Sequence, residues 1–152
     1  MGSIKVSVFE VDGVEYDVAT EYDLAAALNH IGYAASSGTE LLFSRNGSVQ
    51  AGTWLQNESI PSNVTGSFIS MTNPVINKIF VHNENSGNFS LEIYQHDGKL
   101  VNNTLVSSIN ISSSTGGVIS VSIPVTQGKQ LAMILSSGTV KNVVAGLEIA
   151  GS

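Results

Sequence analysis

The stretch GVISVSIPVTQGKQLAMILSSGTVKNVVAGLEIAG, residues 117–151, decides the fold. Its apolar side chains alternate with small or polar ones in three runs, and Gly128 and Gly138 mark the turns between them. Alternation with a period of two is typical of a strand with one face in a core. We therefore predict antiparallel strands near 117–125, 130–136 and 141–150. Their inward side chains are expected to be Ile119, Val121, Ile123, Val125, Leu131, Met133, Leu135, Val143, Ala145, Leu147 and Ile149.

The same character extends upstream to Thr39, where runs rich in Val, Ile, Phe and Thr alternate with Asn, Gly and Ser. Asp97-Gly98 is a hairpin signal, because a two-residue type I′ turn needs positive φ at both central positions. Strands of six to ten residues at this spacing indicate an antiparallel sandwich or barrel. The remaining strands are predicted near 40–44, 67–72, 75–83, 88–96 and 99–111.

The N-terminal sequence IKVSVFEVDGVEYDVAT predicts a small hairpin that turns at Asp12-Gly13. A two-residue loop places Val11 opposite Val14 and Phe9 opposite Tyr16, so these side chains share one apolar face.

TEYDLAAALNHIG predicts the one helix of the chain, with Thr20 as N-cap and Gly32 as its end. Its apolar stripe is Leu24, Leu28 and Ile31. AASSG, residues 34–38, is then a flexible joint. We expect an N-terminal hairpin–helix element in residues 1–38 and a β domain in residues 39–152.

The composition limits the kinds of partner that the protein is expected to bind. The 152 residues carry a net charge of −6 with only six Lys and Arg, and these are scattered, which argues against nucleic acid and against an anionic membrane surface. No apolar run approaches the ~20 residues of a membrane span. Charged residues are 12% of the chain, about half the usual fraction of ~25%. A surface of short polar side chains loses little entropy in a contact, which favours a symmetric oligomer.

The sequence offers little for catalysis. It contains no Cys and no Gly-x-Ser-x-Gly elbow, and its three His residues lack metal-ligand spacing. Half of the carboxylates fall in the first 23 residues, where turn, helix-start and solvation roles explain them. We predict no catalytic residue, no metal site and no cofactor, and hence no enzyme.

Three segments carry a resemblance to a known family: FSRNGSVQAGTWLQNESIPSNVTGSFI, INKIFVHNENSGNFSLEIYQHDGK and the C-terminal stretch quoted first. From Leu41 to Ser152 the chain resembles a β-sandwich module of tailed-bacteriophage virion proteins, found in capsid decoration, fibre-tip and baseplate-associated proteins. The resemblance implies a jelly-roll-like fold, frequent trimers and no catalytic residues. In that arrangement Arg45 reaches a carboxylate or backbone carbonyls as a planar donor, and Trp54 fills an end of the core.

The expected function is therefore structural. We predict a capsid decoration protein on the outer surface of the virion, a homotrimer whose partner is the major capsid protein or another virion protein. The N-terminal element would dock through Phe9, Val11, Val14, Tyr16, Leu24, Leu28 and Ile31. The alternative is a tail-fibre or baseplate module that binds a host-surface glycan through an exposed aromatic such as Tyr94 or Trp54.

Overall fold

A computed structural model of the chain describes residues 8–17, 39–57, 60–61 and 67–151. These residues form a ten-stranded antiparallel sheet and contain no helix, which confirms the prediction of a mainly β, antiparallel fold. The helix predicted over 20–32 lies outside the described residues. The strands are β1 (Val8–Val11), β2 (Val14–Asp17), β3 (Thr39–Gln50), β4 (Gln56–Asn57), β5 (Ile60–Pro61), β6 (Ser67–Phe68), β7 (Val75–His96), β8 (Thr104–Pro124), β9 (Gln130–Ser137) and β10 (Thr139–Ala150).

The fold is organised by one long hairpin of β7 and β8, which have 22 and 21 residues. The sequence predicted two strands in place of each, with breaks at residues 84–87 and 112–116. Those predictions were wrong, because the two turn-like segments lie opposite each other. His82 faces Gly116 and Gly87 faces Ser114, with a register shift between the two pairs. The Gly- and Ser-rich residues therefore break the ladder locally without ending either strand.

The hairpin divides the sheet into two halves. In the β10 half, residues 75–82 of β7 lie between β8 and β10, and β3 pairs with the far side of β10. In the β9 half, residues 90–96 of β7 lie between β8 and β9.

One hydrophobic cluster takes side chains from both halves. In the β10 half, Leu41, Leu147, Ile79 and Ile119 form one cross-strand row of this core. In the β9 half, the corresponding row joins Val11, Ile109, Leu91 and Leu135. The two-layered, jelly-roll-like arrangement of these halves stays a prediction.

β1 pairs with β2, with Val11 opposite Val14 and Phe9 opposite Tyr16. It also pairs with residues 109–112 of β8, so the N-terminal strands extend the main sheet. The predicted domain boundary at residue 38 lies outside the described residues.

The connection from β7 to β8 is longer than the predicted two-residue turn. β8 begins at Thr104, five residues later than the predicted strand start. The loop turns on positive φ values at Lys99, Leu100 and Asn102. His96 is fully buried, and its Nδ1 accepts hydrogen bonds from the backbone N–H groups of Gly98 and Leu100 at 3.0 and 3.4 Å.

Within the described ranges, no helix is long and apolar enough to cross a membrane.

Candidate interaction surfaces

The outer face of the β10 half is the side of β3, β10, β7 and β8 that points away from the core. Strand register arranges it in cross-strand rows. The central row runs Leu42, Gly146, Phe80 and Val118. Leu42 is 49% exposed, and Val144 in the adjacent row is 37% exposed. This face therefore presents large apolar side chains to its surroundings.

Phe80 holds the centre of that face. Its side chain is only 5% exposed, although it does not belong to the hydrophobic core cluster. The ring lies directly over Gly146, where an added Cβ would come within 2.0 Å of a ring carbon. Glycine at this position lets the ring lie against the β10 backbone.

A polar row borders the apolar one and consists of Glu40, Glu148, Lys78 and Ser120. Glu148 is 6% exposed. Its Oε2 atom and the Oε1 atom of Glu40 are buried and find no hydrogen-bond partner in the described chain. Lys78 forms no ion pair with Glu148, its neighbour across the strands. Buried acceptors without donors are rare and need an explanation, since desolvation is not offset.

On the outer face of the β9 half, polar side chains form hydrogen bonds with one another across the strands. Asn110 lies between Glu10 and Ser90 on three adjacent strands. Its Nδ2 donates to Glu10 Oε1 at 2.7 Å, and its Oδ1 accepts from Ser90 Oγ at 2.5 Å. The Asp12 carboxylate accepts from the backbone N–H of Ser108 at 3.2 Å. These polar groups satisfy one another within the chain.

An aromatic pair lies on the same face. The rings of Trp54 and Tyr94 meet edge-on, with centroids 5.7 Å apart and planes at 64°. The Tyr94 hydroxyl donates to Glu92 Oε1 at 3.2 Å. Burial, and then the Glu92 charge, raise the pKa of Tyr94.

Arg45 Nη1 donates to the Trp54 carbonyl oxygen at 3.0 Å. Trp54 is half-buried and is not among the residues of the core cluster, and its place at an end of the core stays a prediction.

Of the predicted docking residues, Val11 and Val14 are the two whose burial the structure describes, and they differ in exposure. Val11 is 4% exposed and belongs to the core, because its strand is added to β8 opposite Ile109. It is therefore not free to dock. Val14, on the sheet-edge strand β2, is 55% exposed. Phe9 and Tyr16 are paired across β1 and β2. Leu24, Leu28 and Ile31 lie outside the described residues.

The described parts of the chain hold no group of three or more His, Asp or Glu residues placed to bind a metal ion.

Sequence reasoning missed the outer face of the β10 half, although a signal for it was present. The triplets Leu41–Phe43, Ile79–Val81 and Val143–Ala145 each place apolar residues at three consecutive strand positions. Three in a row cannot all face one core, so at least one must lie on the opposite face. The middle residue of each triplet is the one on the outer face.

No protein-family model matches the sequence, and no curated protein matches it. Among solved structures, the chain is similar to PRD1 vertex protein P5, with a TM-score of 0.41 and 15% sequence identity. The match covers 74% of this chain and 72% of that chain.

Proposed function

We propose that the chain is a structural bacteriophage virion protein, a capsid decoration protein that self-associates through the outer face of the β10 half. The observation that carries the proposal is the apolar row around Phe80, with Leu42 and Val144 exposed beside it. Contiguous apolar surface bounded by polar residues is typical of protein contacts. The resemblance of residues 41–152 to virion modules supports the virion setting.

Self-association would place the exposed Leu42 side chain inside the contact. Removing a half-exposed leucine from water adds a fraction of the ~1.5–3 kcal/mol that full burial of an apolar side chain contributes. A symmetric trimer would make this contact three times.

The test of self-association uses two leucines with the same exposure. Leu42 on the β10 half and Leu105 on β8 are both 49% exposed. We expect a trimer by native mass spectrometry, dissociation in Leu42→Lys, and an unchanged trimer in Leu105→Lys. A monomeric wild-type protein, or equal behaviour of the two variants, would contradict the proposal.

Attachment to the shell is assigned to the edge strand β2. Val14 is exposed there, and among the described strands β2 pairs with β1 alone, so its other side would be the one that meets a partner strand. Removing residues 1–38 would also remove Val11 from the core, so a point substitution is the cleaner test.

Val14→Asp is expected to weaken binding to shells that lack the decoration and to abolish the rise in shell melting temperature. Val101→Asp is the matched control, because Val101 is also 55% exposed but lies in the β7–β8 loop. Full binding by Val14→Asp would refute the docking assignment.

A second function is favoured by the aromatic pair: recognition of a host-surface glycan. Trp54 and Tyr94 offer partly exposed ring surface, with the Glu92 carboxylate next to the Tyr94 hydroxyl. Aromatic rings combined with a carboxylate suit a sugar. Trp54 is the only Trp, so glycan binding should change the intrinsic fluorescence. Loss of host-glycan binding in Tyr94→Ala, with the trimer intact, would favour this function over decoration.

A further inference from the structure

A pocket of about 380 Å³ lies where the β7–β8 ladder is interrupted. Three chain segments line it: the end of β3, Asn83 with residues 85–88 of β7, and the start of β10. Its volume is within the range of ~300–1,000 Å³ that is typical of small-molecule sites. The pocket is distinct from the apolar face around Phe80 and from the Trp54–Tyr94 pair, since none of those residues lines it.

The floor of the pocket is fixed by Asn83, which is 3% exposed. Its Oδ1 accepts from the backbone N–H of Lys141 at 2.7 Å, and its Nδ2 donates to the carbonyl oxygen of Asn85 at 2.6 Å. Both ends of the amide are thus engaged, and the bond to Lys141 ties β7 to β10. A ligand would meet this floor already in place, which lowers the entropy cost of binding.

The walls carry neutral hydrogen-bonding groups. Within the described chain, the side chains of Gln50, Ser86 and Thr139 form no hydrogen bond with another residue. Each offers both a donor and an acceptor. Further neutral polar wall residues are Ser48, Asn85 and Asn88.

Charge at the rim is cancelled locally. Among the described residues that line the pocket, Lys141 is the one that carries a charge, and its Nζ lies 3.3 Å from Glu84 Oε2. Asn142 Nδ2 also donates to Glu84 Oε1 at 3.1 Å. An anionic ligand would have to compete with Glu84 for this lysine. An apolar ligand would leave the wall amides and hydroxyls without partners, which is costly.

We infer that this pocket binds a neutral saccharide, a hexose or N-acetylhexosamine unit of a larger glycan. A sugar carries several hydroxyls that donate and accept at once, which matches the amide and hydroxyl walls group for group. The acetamido group of an N-acetylhexosamine also matches the side-chain amides. The inference does not depend on the virion role, and the pocket would be a sugar site separate from the Trp54–Tyr94 pair.

The experiment titrates the ¹⁵N-labelled full chain with glucose, galactose and N-acetylglucosamine and follows amide chemical shifts. Concentrations up to about 20 mM would saturate a site with a Kd of about 1 mM. Shifts are expected at residues 48–50, 83–88 and 139–141 for at least one sugar.

Ser86→Trp, which fills the pocket from an exposed position, should abolish these shifts. Gln50→Ala and Thr139→Ala should each weaken binding by about fivefold, the effect of one lost hydrogen bond. Ser120→Ala, exposed on the outer face of the β10 half, is the control and should bind normally.

Several outcomes would overturn the inference. One is the absence of pocket shifts with all three sugars, and another is normal binding by Ser86→Trp. Shifts caused by inorganic phosphate, weakening with salt, would identify an anion site at Lys141 instead. Sugar binding that is lost in Trp54→Ala but kept in Ser86→Trp would move recognition to the aromatic pair.

Discussion

The outer faces of the two halves belong to one sheet and share the β7–β8 hairpin, yet they treat their polar groups differently. On the β9 half, Glu10, Asn110 and Ser90 are joined by hydrogen bonds across three strands. On the β10 half, Glu40 and Glu148 occupy an equivalent cross-strand arrangement, but each keeps a buried oxygen without a partner in the described chain. The first face satisfies its polar groups with its own side chains, and the second does not.

This difference indicates where a partner belongs. A face whose polar groups are already paired gains little from a new contact, because each new hydrogen bond replaces an existing one. A face with exposed apolar side chains, such as Leu42 and Val144, gains from removing them from water. This difference favours the outer face of the β10 half as the self-association surface. The substitutions that follow test whether the two outer faces differ in this way.

The largest effect is expected at the glycine that joins the halves. Gly116 has φ +135°, and an added Cβ would come within 1.9 Å of the Val81 carbonyl oxygen. Gly116→Ala should lower the free energy of unfolding by about 4 kcal/mol, because the backbone strain and the clash with the Val81 carbonyl oxygen cannot both be relieved. Urea unfolding measures the loss.

Gly128→Ala is the control for that substitution. Gly128 also has positive φ, +87°, but nothing lies within 4 Å of its added Cβ. Gly128→Ala should lower the free energy of unfolding by about 1 kcal/mol, from backbone strain alone. Equal losses for the two variants would show that the junction is not under steric constraint. Separate unfolding transitions in Gly116→Ala would show that the halves are stabilised independently.

The next effect concerns the apolar row of the β10 half. Gly146→Ala forces the Phe80 ring off the β10 backbone and should cost about 2 kcal/mol, the scale of overpacking. Combining it with Phe80→Leu should cost less than the two separate losses added together, since the smaller side chain removes the clash. Strict additivity in urea unfolding would show that the ring does not lie on Gly146.

The sequence predicted the strand content because alternation alone is enough for strands such as β9 and β10. It could not predict that β7 and β8 continue through Asn83–Gly87 and Ser113–Gly116. Turn residues carry the same composition whether a chain reverses or merely bends opposite another bend. Trp54 and Arg45 were singled out, but their contacts with Tyr94 and with a carbonyl oxygen depend on long-range pairing. The outer face of the β10 half was detectable only from its consecutive apolar triplets.

Glutamate-to-glutamine substitution should change the free energy of unfolding in opposite directions on the two outer faces. Glu148→Gln removes a buried charge whose Oε2 lacks a partner, so it should stabilise the monomer by about 1 kcal/mol. Glu10→Gln weakens a charge-assisted bond from Asn110 and should destabilise by about 1 kcal/mol. Urea unfolding of both variants at neutral pH provides the comparison. The same sign for both would remove the distinction between the faces.

The smallest effect is expected from acid, at two exposed carboxylates outside both faces. The pKa of Asp97 is lowered by its bonds to Lys129 and Asn102, and that of Glu84 by Asn142 and Lys141. Because folding lowers both pKa values, these groups stabilise the protein above their ordinary values of 3.8 and 4.5. That contribution is lost as the pH falls through the lowered values. Both groups are exposed, so solvent screening keeps it small. Melting temperatures of wild type, Asp97→Asn and Glu84→Gln should therefore differ slightly at pH 6 and converge once the pH has fallen below the lowered pKa values. A gap that instead widened in acid would show that these two pairs are not the source of the pH dependence.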